Sequence, residues 1–138
     1  MIILDNGTIR AEIAEKGAEI RRLTVNGEER FWNGDPQFWT GSSPVLFPIC
    51  SGLKDDEFIY EGKTYTMQKH GFARRAKFDV EKVDSNTVTF LLSSDNCPQD
   101  NYPFKYEFRI IYTLVALAGI WCISLLFRTD SEGATITQ

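Results

Sequence analysis

The only histidine of the 138 residues, His70, stands in the run Lys69-His70-Gly71-Phe72-Ala73-Arg74-Arg75. Three flanking cations disfavour a further positive charge, so the imidazole is expected to be neutral at pH 7. A neutral imidazole has one donor and one acceptor nitrogen, which suits a hydroxyl-rich ligand such as a sugar. Arg74 adds a planar fork of donors for oxygen-bearing ligands, and Gly71 lets backbone approach closely. The competing reading is a loop histidine with no ligand at all. A single imidazole also sets limits. Two-histidine zinc sites and metalloprotease helices are excluded. A Ser-His-Asp triad would have to use His70 as its base.

The segment from Pro44 to Asp56 holds further candidates. Cys50 could be a nucleophile with His70 as base. No local spacing supports that pairing, and the apolar run around Cys50 predicts a buried, inert thiol. Lys54-Asp55-Asp56-Glu57 reads as a solvated turn, because no second oxygen-ligand motif accompanies it to make a metal site. Phe31-Trp32 and Phe38-Trp39 could stack on a sugar ring, but such aromatics in a β sandwich are more often core. No stacking role is assigned to them.

Stepping outward, the elements that carry these residues read as strands. Asn6-Gly7, Asn26-Gly27, Asn33-Gly34 and Glu61-Gly62 are turn marks that tolerate positive φ. Between such marks lie alternating or β-rich runs: Thr8 to Ile13, Lys77 to Glu81, Thr87 to Leu92 and Phe104 to Ile110. Phe58 to Met67 reads as a hairpin about Glu61-Gly62. This pattern predicts an all-β, mostly antiparallel architecture. Ala11 to Leu23 is ambiguous, being rich in helix formers yet interrupted by Gly17. Asp35-Pro36 predicts a short capped turn.

The formal charge of −4 supplies no basic footprint for nucleic acid. Cys50, Cys97 and Cys122 are odd in number and lack C-x-x-C spacing, which argues for free thiols in a reducing cytoplasm. The opening Met1 to Asp5 has no basic region of a signal peptide. Ile110 to Phe127 carries no charge and is a marginal membrane candidate. The alternatives are a pair of buried strands, or a tail not shaped by this fold. Because Ile110 to Leu114 continues the Phe104 strand, what remains is too short to span, and the membrane reading is the weaker.

In chain order, Asn6-Gly7, Phe31 to Pro36, Phe38-Trp39, Pro44 to Pro48 (PVLFP), Gly52 to Asp55, Glu61 to Tyr65, His70 to Arg74 (HGFAR), Tyr102 to Phe104 and Tyr112 to Leu114 recur as a set. On these motifs the chain resembles the N-terminal part of the aldose 1-epimerase (galactose mutarotase-like) family, most closely its LacX-like branch. The resemblance implies half of a β-supersandwich over residues 1–114, with two strands and a turn near Lys16-Gly17 in the ambiguous stretch, followed by a divergent tail over 115–138, as in a truncated or frameshifted product. It implies an isomerase that interconverts the α and β anomers of an aldohexose by acid/base ring opening, with no cofactor and no metal. By the same resemblance His70 is a catalytic and sugar-contacting residue, and Arg74 binds substrate. A family arginine expected before Leu53 is replaced by Gly52. The family's glutamate base and second histidine lie in its C-terminal half and have no counterpart here, so little turnover is expected from this chain. The expected partner is a small sugar, with self-association through exposed strand edges. The alternative function is a non-catalytic carbohydrate-binding β module.

Overall fold

In the computed structural model, residues 1–115 and the backbone of residues 121–129 are described. Among these described residues, ten strands form three antiparallel sheets. The first holds β1 (Ile2–Asp5), β2 (Ile9–Ala14), β3 (Glu19–Val25) and β4 (Glu28–Glu29) in chain order. A separate hairpin pairs β5 (Glu57–Tyr60) with β6 (Lys63–Thr66). The last sheet holds β7 (Asp79–Val83), β8 (Thr87–Ser93), β9 (Tyr106–Leu114) and β10 (Trp121–Thr129), again between sequence neighbours. The all-β expectation is therefore met, strand for strand, over the runs named from alternation.

Period two explains which faces are buried. Ile9, Ala11 and Ile13 of β2 point inward, as do Val88, Phe90 and Leu92 of β8 and the alternate residues Tyr106 to Leu114 of β9. Each large side chain taken from water contributes about 1.5–3 kcal/mol, so these rows set the register. Asn26-Gly27 and Glu61-Gly62 join β3 to β4 and β5 to β6, with both residues of each pair at positive φ. That is the backbone a two-residue hairpin turn requires.

The ambiguous stretch Ala11 to Leu23 resolves into β2 and β3. Its turn has Gly17 and Ala18 at positive φ, and the pairing slips between Glu12 and Ile13. Docking of this turn against residues 76–78, just ahead of β7, outweighs helix propensity. The Gly17 N–H donates to the Ala76 carbonyl at 2.8 Å, and the Phe78 N–H donates to the Glu15 carbonyl at 2.9 Å.

Of the uncharged run 110–127, residues 110–114 lie in β9 and 121–127 in β10, which pairs antiparallel with β9 from Trp121 opposite Leu114 to Thr129 opposite Tyr106. This is the strand-pair alternative. Among the described residues no helix is long and apolar enough to cross a membrane. The rest of the divergent tail expected over 115–138, and the side chain of Cys122, lie outside the described residues.

Candidate functional site

The HGFAR segment is held by the PVLFP segment, and Phe47 is the anchor. Its ring stacks on Phe108 of β9 at 4.5 Å between centroids and meets Phe72 edge-on at 5.8 Å. Its carbonyl accepts the N–H groups of Phe72 at 2.9 Å and Ala73 at 3.2 Å. The peptide bond from Phe47 to Pro48 is cis. Gly71 must be glycine here. It lies at φ +67°, and a Cβ on it would stand 2.1 Å from the Phe47 carbonyl oxygen.

His70 is also left-handed, at φ +71°. Its N–H donates to the Ser51 carbonyl at 3.0 Å, and its ring Nδ1 lies 2.6 Å from the Cys50 carbonyl oxygen. A carbonyl only accepts, so the proton of this bond sits on Nδ1. An imidazole held this way points Nε2 away from that bond, with its lone pair there whenever the ring carries a single proton. The ring is half-buried. Cys50 orients it through backbone alone, and the thiol itself is exposed rather than buried as expected. The reason is local: the backbone carbonyls of residues 50 and 51 face the loop of His70, so the apolar run does not continue inward at Cys50.

Arg74 lies in a single 3₁₀ turn, Ala73–Arg75, against the β2–β3 turn. A Cβ at Gly17 would stand 2.9 Å from the Arg74 carbonyl oxygen, so that turn too is fitted to backbone. Arg74 is among the residues that line a cleft of about 510 Å³, with Lys16, Glu19, Arg21, Trp39 and Arg75. The Arg74 Nε is buried without a hydrogen-bond partner. His70 is not among the residues lining that cleft, so the two predicted site residues sit at the ends of one segment rather than in this one concavity.

The loop at residues 40–43, beside the same cleft, is organised by two residues that sequence reasoning missed. The Glu19 carboxylate accepts the N–H groups of Ser42 at 2.6 Å and Ser43 at 3.0 Å. Arg21 donates to the Thr40 carbonyl at 2.9 Å and to Glu19 at 3.2 Å. Their signal was present as the polar positions flanking buried Ile20 on β3. Of the four aromatics expected in the core, Phe31 packs against it, and the other three do not. Phe38 is 77% exposed, and Trp32 and Trp39 are also exposed. Asp35 caps the turn as expected, accepting the Gln37 N–H at 2.9 Å. The Trp32 indole donates to the Trp39 carbonyl at 2.8 Å, which ties the loop to itself and leaves its rings outside. Among the described residues no group of three or more His, Cys, Asp or Glu is placed to hold a metal ion.

Comparison with known proteins accounts for this arrangement. The aldose 1-epimerase family model matches residues 1–121. The plasmid and chromosomal LacX proteins of Lactococcus lactis subsp. lactis are each 39% identical over 119 residues, covering 82% of this chain and 40% of theirs. The chain thus spans about two fifths of the length of these curated relatives. A galactose mutarotase related enzyme from Lactobacillus acidophilus superposes with a TM-score of 0.81 at 38% identity, over 94% of this chain and 44% of that one. A galactose mutarotase-like protein from Lactobacillus casei gives 0.81 at 33% identity, over 92% and 42%. The sheets described above are the N-terminal part of a galactose mutarotase-like β-supersandwich, and the chain belongs to the aldose 1-epimerase family.

Proposed function

We propose that this chain contributes the histidine-bearing part of a site that interconverts the anomers of an aldose. The observation that carries the reading is the Nδ1 contact of His70 to the Cys50 carbonyl, because it leaves Nε2 as the single reactive nitrogen. In mutarotation the anomeric hydroxyl loses its proton while the ring oxygen gains one. The bond from C1 to the ring oxygen breaks and an aldehyde forms. Rotation about the next carbon–carbon bond and reversal of the same steps give the other anomer. Neutral Nε2 accepts a hydrogen bond from a sugar hydroxyl, and protonated Nε2 donates to the ring oxygen. Arg74 binds sugar oxygens with its fork of donors.

The glutamate base and second histidine that the family resemblance implies have no counterpart in these residues, and His70 is the only imidazole in the sequence. We therefore expect these 138 residues to bind an aldose with little acceleration of anomer exchange. The second reading, a carbohydrate-binding β module, rests on the same missing groups. Anomer exchange followed by NMR, with sugar binding titrated in parallel, tests the proposal. Asparagine is the replacement of choice at position 70, since it tolerates the positive φ there. His70→Asn should weaken binding several-fold. Unchanged binding would remove His70 from the site. Exchange accelerated by the chain and abolished by His70→Asn would show that these residues catalyse unaided.

A further inference from the structure

His70 and Gly71 are consecutive left-handed residues, at φ +71° and +67°. Glycine adopts that backbone without strain, but a histidine is kept there only where its surroundings over-determine it. Three main-chain bonds fasten the stretch. The His70 N–H donates to the Ser51 carbonyl at 3.0 Å, the Gly71 N–H to the Gln68 carbonyl at 2.9 Å and the Phe72 N–H to the Phe47 carbonyl at 2.9 Å. The Gly71 carbonyl is fastened differently. In the turn that follows, the main-chain N–H groups of Arg75 and Ala76 donate to the Phe72 and Ala73 carbonyls and pass Gly71 over. Arg75 closes the gap with its side chain, whose Nη2 donates to the Gly71 carbonyl at 2.9 Å. A hydrogen bond from an ionised donor is among the stronger ones. It acts on the peptide unit whose N–H is already tied to Phe47, so that unit is held at both of its polar ends. The guanidinium is thus a side-chain fastening in a loop otherwise tied by backbone, and a substitution can remove it without touching the main chain.

We propose that Arg75 is a positioning residue for His70. Its bond to the Gly71 carbonyl locks the left-handed pair, and the lock keeps the imidazole Nδ1 on the Cys50 carbonyl oxygen at 2.6 Å with Nε2 turned away from it. Arg75 acts through the loop and not on a ligand. The proposal rests on the His70 reading above for its consequence in sugar binding, whereas the lock itself is a property of the loop. Arg75 is exposed, so replacing it takes nothing from the core.

The test uses the full chain, isotope-labelled. With one histidine in the sequence, the long-range proton–nitrogen spectrum holds a single imidazole. At a pH where the ring carries one proton, that spectrum reads the ratio of the Nδ1–H to the Nε2–H form. The parent should be mostly Nδ1–H. Arg75→Met removes donor and charge together. It should move the ratio several-fold toward that of a solvated imidazole and speed amide exchange at Gly71 and Phe72 several-fold, with exchange at Phe90 of β8 unchanged. Arg75→Lys keeps a cationic donor and should restore most of the parent ratio. Lys69→Met removes an equal charge beside His70 and should leave the ratio where it was. Titrated with glucose and galactose, Arg75→Met should bind several-fold more weakly than the parent and Arg75→Lys should recover. A parent that is mostly Nε2–H, or a parent ratio retained in Arg75→Met, overturns the proposal. An equal change in Lys69→Met also overturns it, because the effect is then one of charge. Faster exchange at Phe90 as well as in the loop reduces Arg75 to a general stabiliser and overturns it too. A ratio that moves as expected while neither sugar binds, or while His70→Asn binds both like the parent, supports the lock and sinks the sugar reading of His70 instead.

Discussion

At position 71 a single hydrogen decides whether the HGFAR segment can lie where it does. A methyl there would enter the Phe47 carbonyl at 2.1 Å on a backbone already at φ +67°. Gly62 has a similar φ of +74° but nothing within 4 Å. The pair separates crowding from backbone strain. Gly62→Ala should cost about 1 kcal/mol, the strain of a left-handed alanine. Gly71→Ala should cost about 3 kcal/mol or more, since the Phe47 carbonyl must also move. Urea unfolding of both variants measures the difference, and equal costs would mean that the loop yields freely. The left-handed glycine is foreseeable in the motif; its neighbour is not. No spacing rule reports that the Phe47 carbonyl lies against position 71, because that contact crosses a chain separation bridged only by tertiary packing.

The strands are the scale at which the sequence spoke most plainly. Alternation marked β2 and β9, where buried residues alternate with more accessible ones; β7 alternates in sequence although only Val80 is even partly buried, and β8 was marked by its β-rich composition and is covered on both faces. Ala11 to Leu23 was not decidable by propensity, and its outcome rests on the Gly17 turn docking against Ala76. The exposed aromatics Trp32, Phe38 and Trp39 were misread as core because composition does not say which side of a loop faces solvent.

The last sheet also carries an ion pair that alternation could not locate. The β7–β8 register shifts between Val80 and Lys82, leaving Glu81 as the extra residue of a bulge. Arg109 of β9 reaches over the intervening strand β8 and grips it with two bonds of 2.7 Å. This hydrogen bonding and charge hold the Glu81 carboxyl below the usual glutamate range and the Arg109 guanidinium above its own. For a depressed carboxyl, the stabilisation is present above the unfolded-state value of 4.5 and is lost as pH falls through the folded-state value. The pair is partly exposed, so its contribution is about 0.5–1 kcal/mol. Glu81→Gln should lower the urea midpoint at pH 7, with the gap to the parent narrowing as the pH is lowered below 4.5. A gap that does not change with pH would assign the effect to packing instead.

For the molecule as a whole, the two large sheets are locked by a tyrosine. The Tyr112 hydroxyl on β9 donates to the Ala18 carbonyl in the β2–β3 turn at 2.7 Å, across 94 residues of chain. Tyr112→Phe leaves that buried carbonyl unpaired and should cost about 1–2 kcal/mol. Burial also raises the phenols of Tyr102, Tyr106 and Tyr112 above the ordinary tyrosine value of 10.0. A raised folded-state pKa means that the stabilisation holds below pH 10 and is lost as pH climbs past it, because the unfolded chain ionises first. Absorbance at 295 nm should therefore show part of the tyrosine signal arriving late and together with unfolding. A smooth rise of all five tyrosines near pH 10, before any loss of structure, would contradict the buried phenols.

Phe47 belongs to two worlds at once: its ring to the hydrophobic interior beside Phe108, its carbonyl to the loop that presents the imidazole. Interior packing and the placement of that loop therefore share a lever. A conservative swap at Phe108 would tilt that ring and draw its carbonyl. Selection for a sturdier interior would be felt at the histidine loop through the same residue.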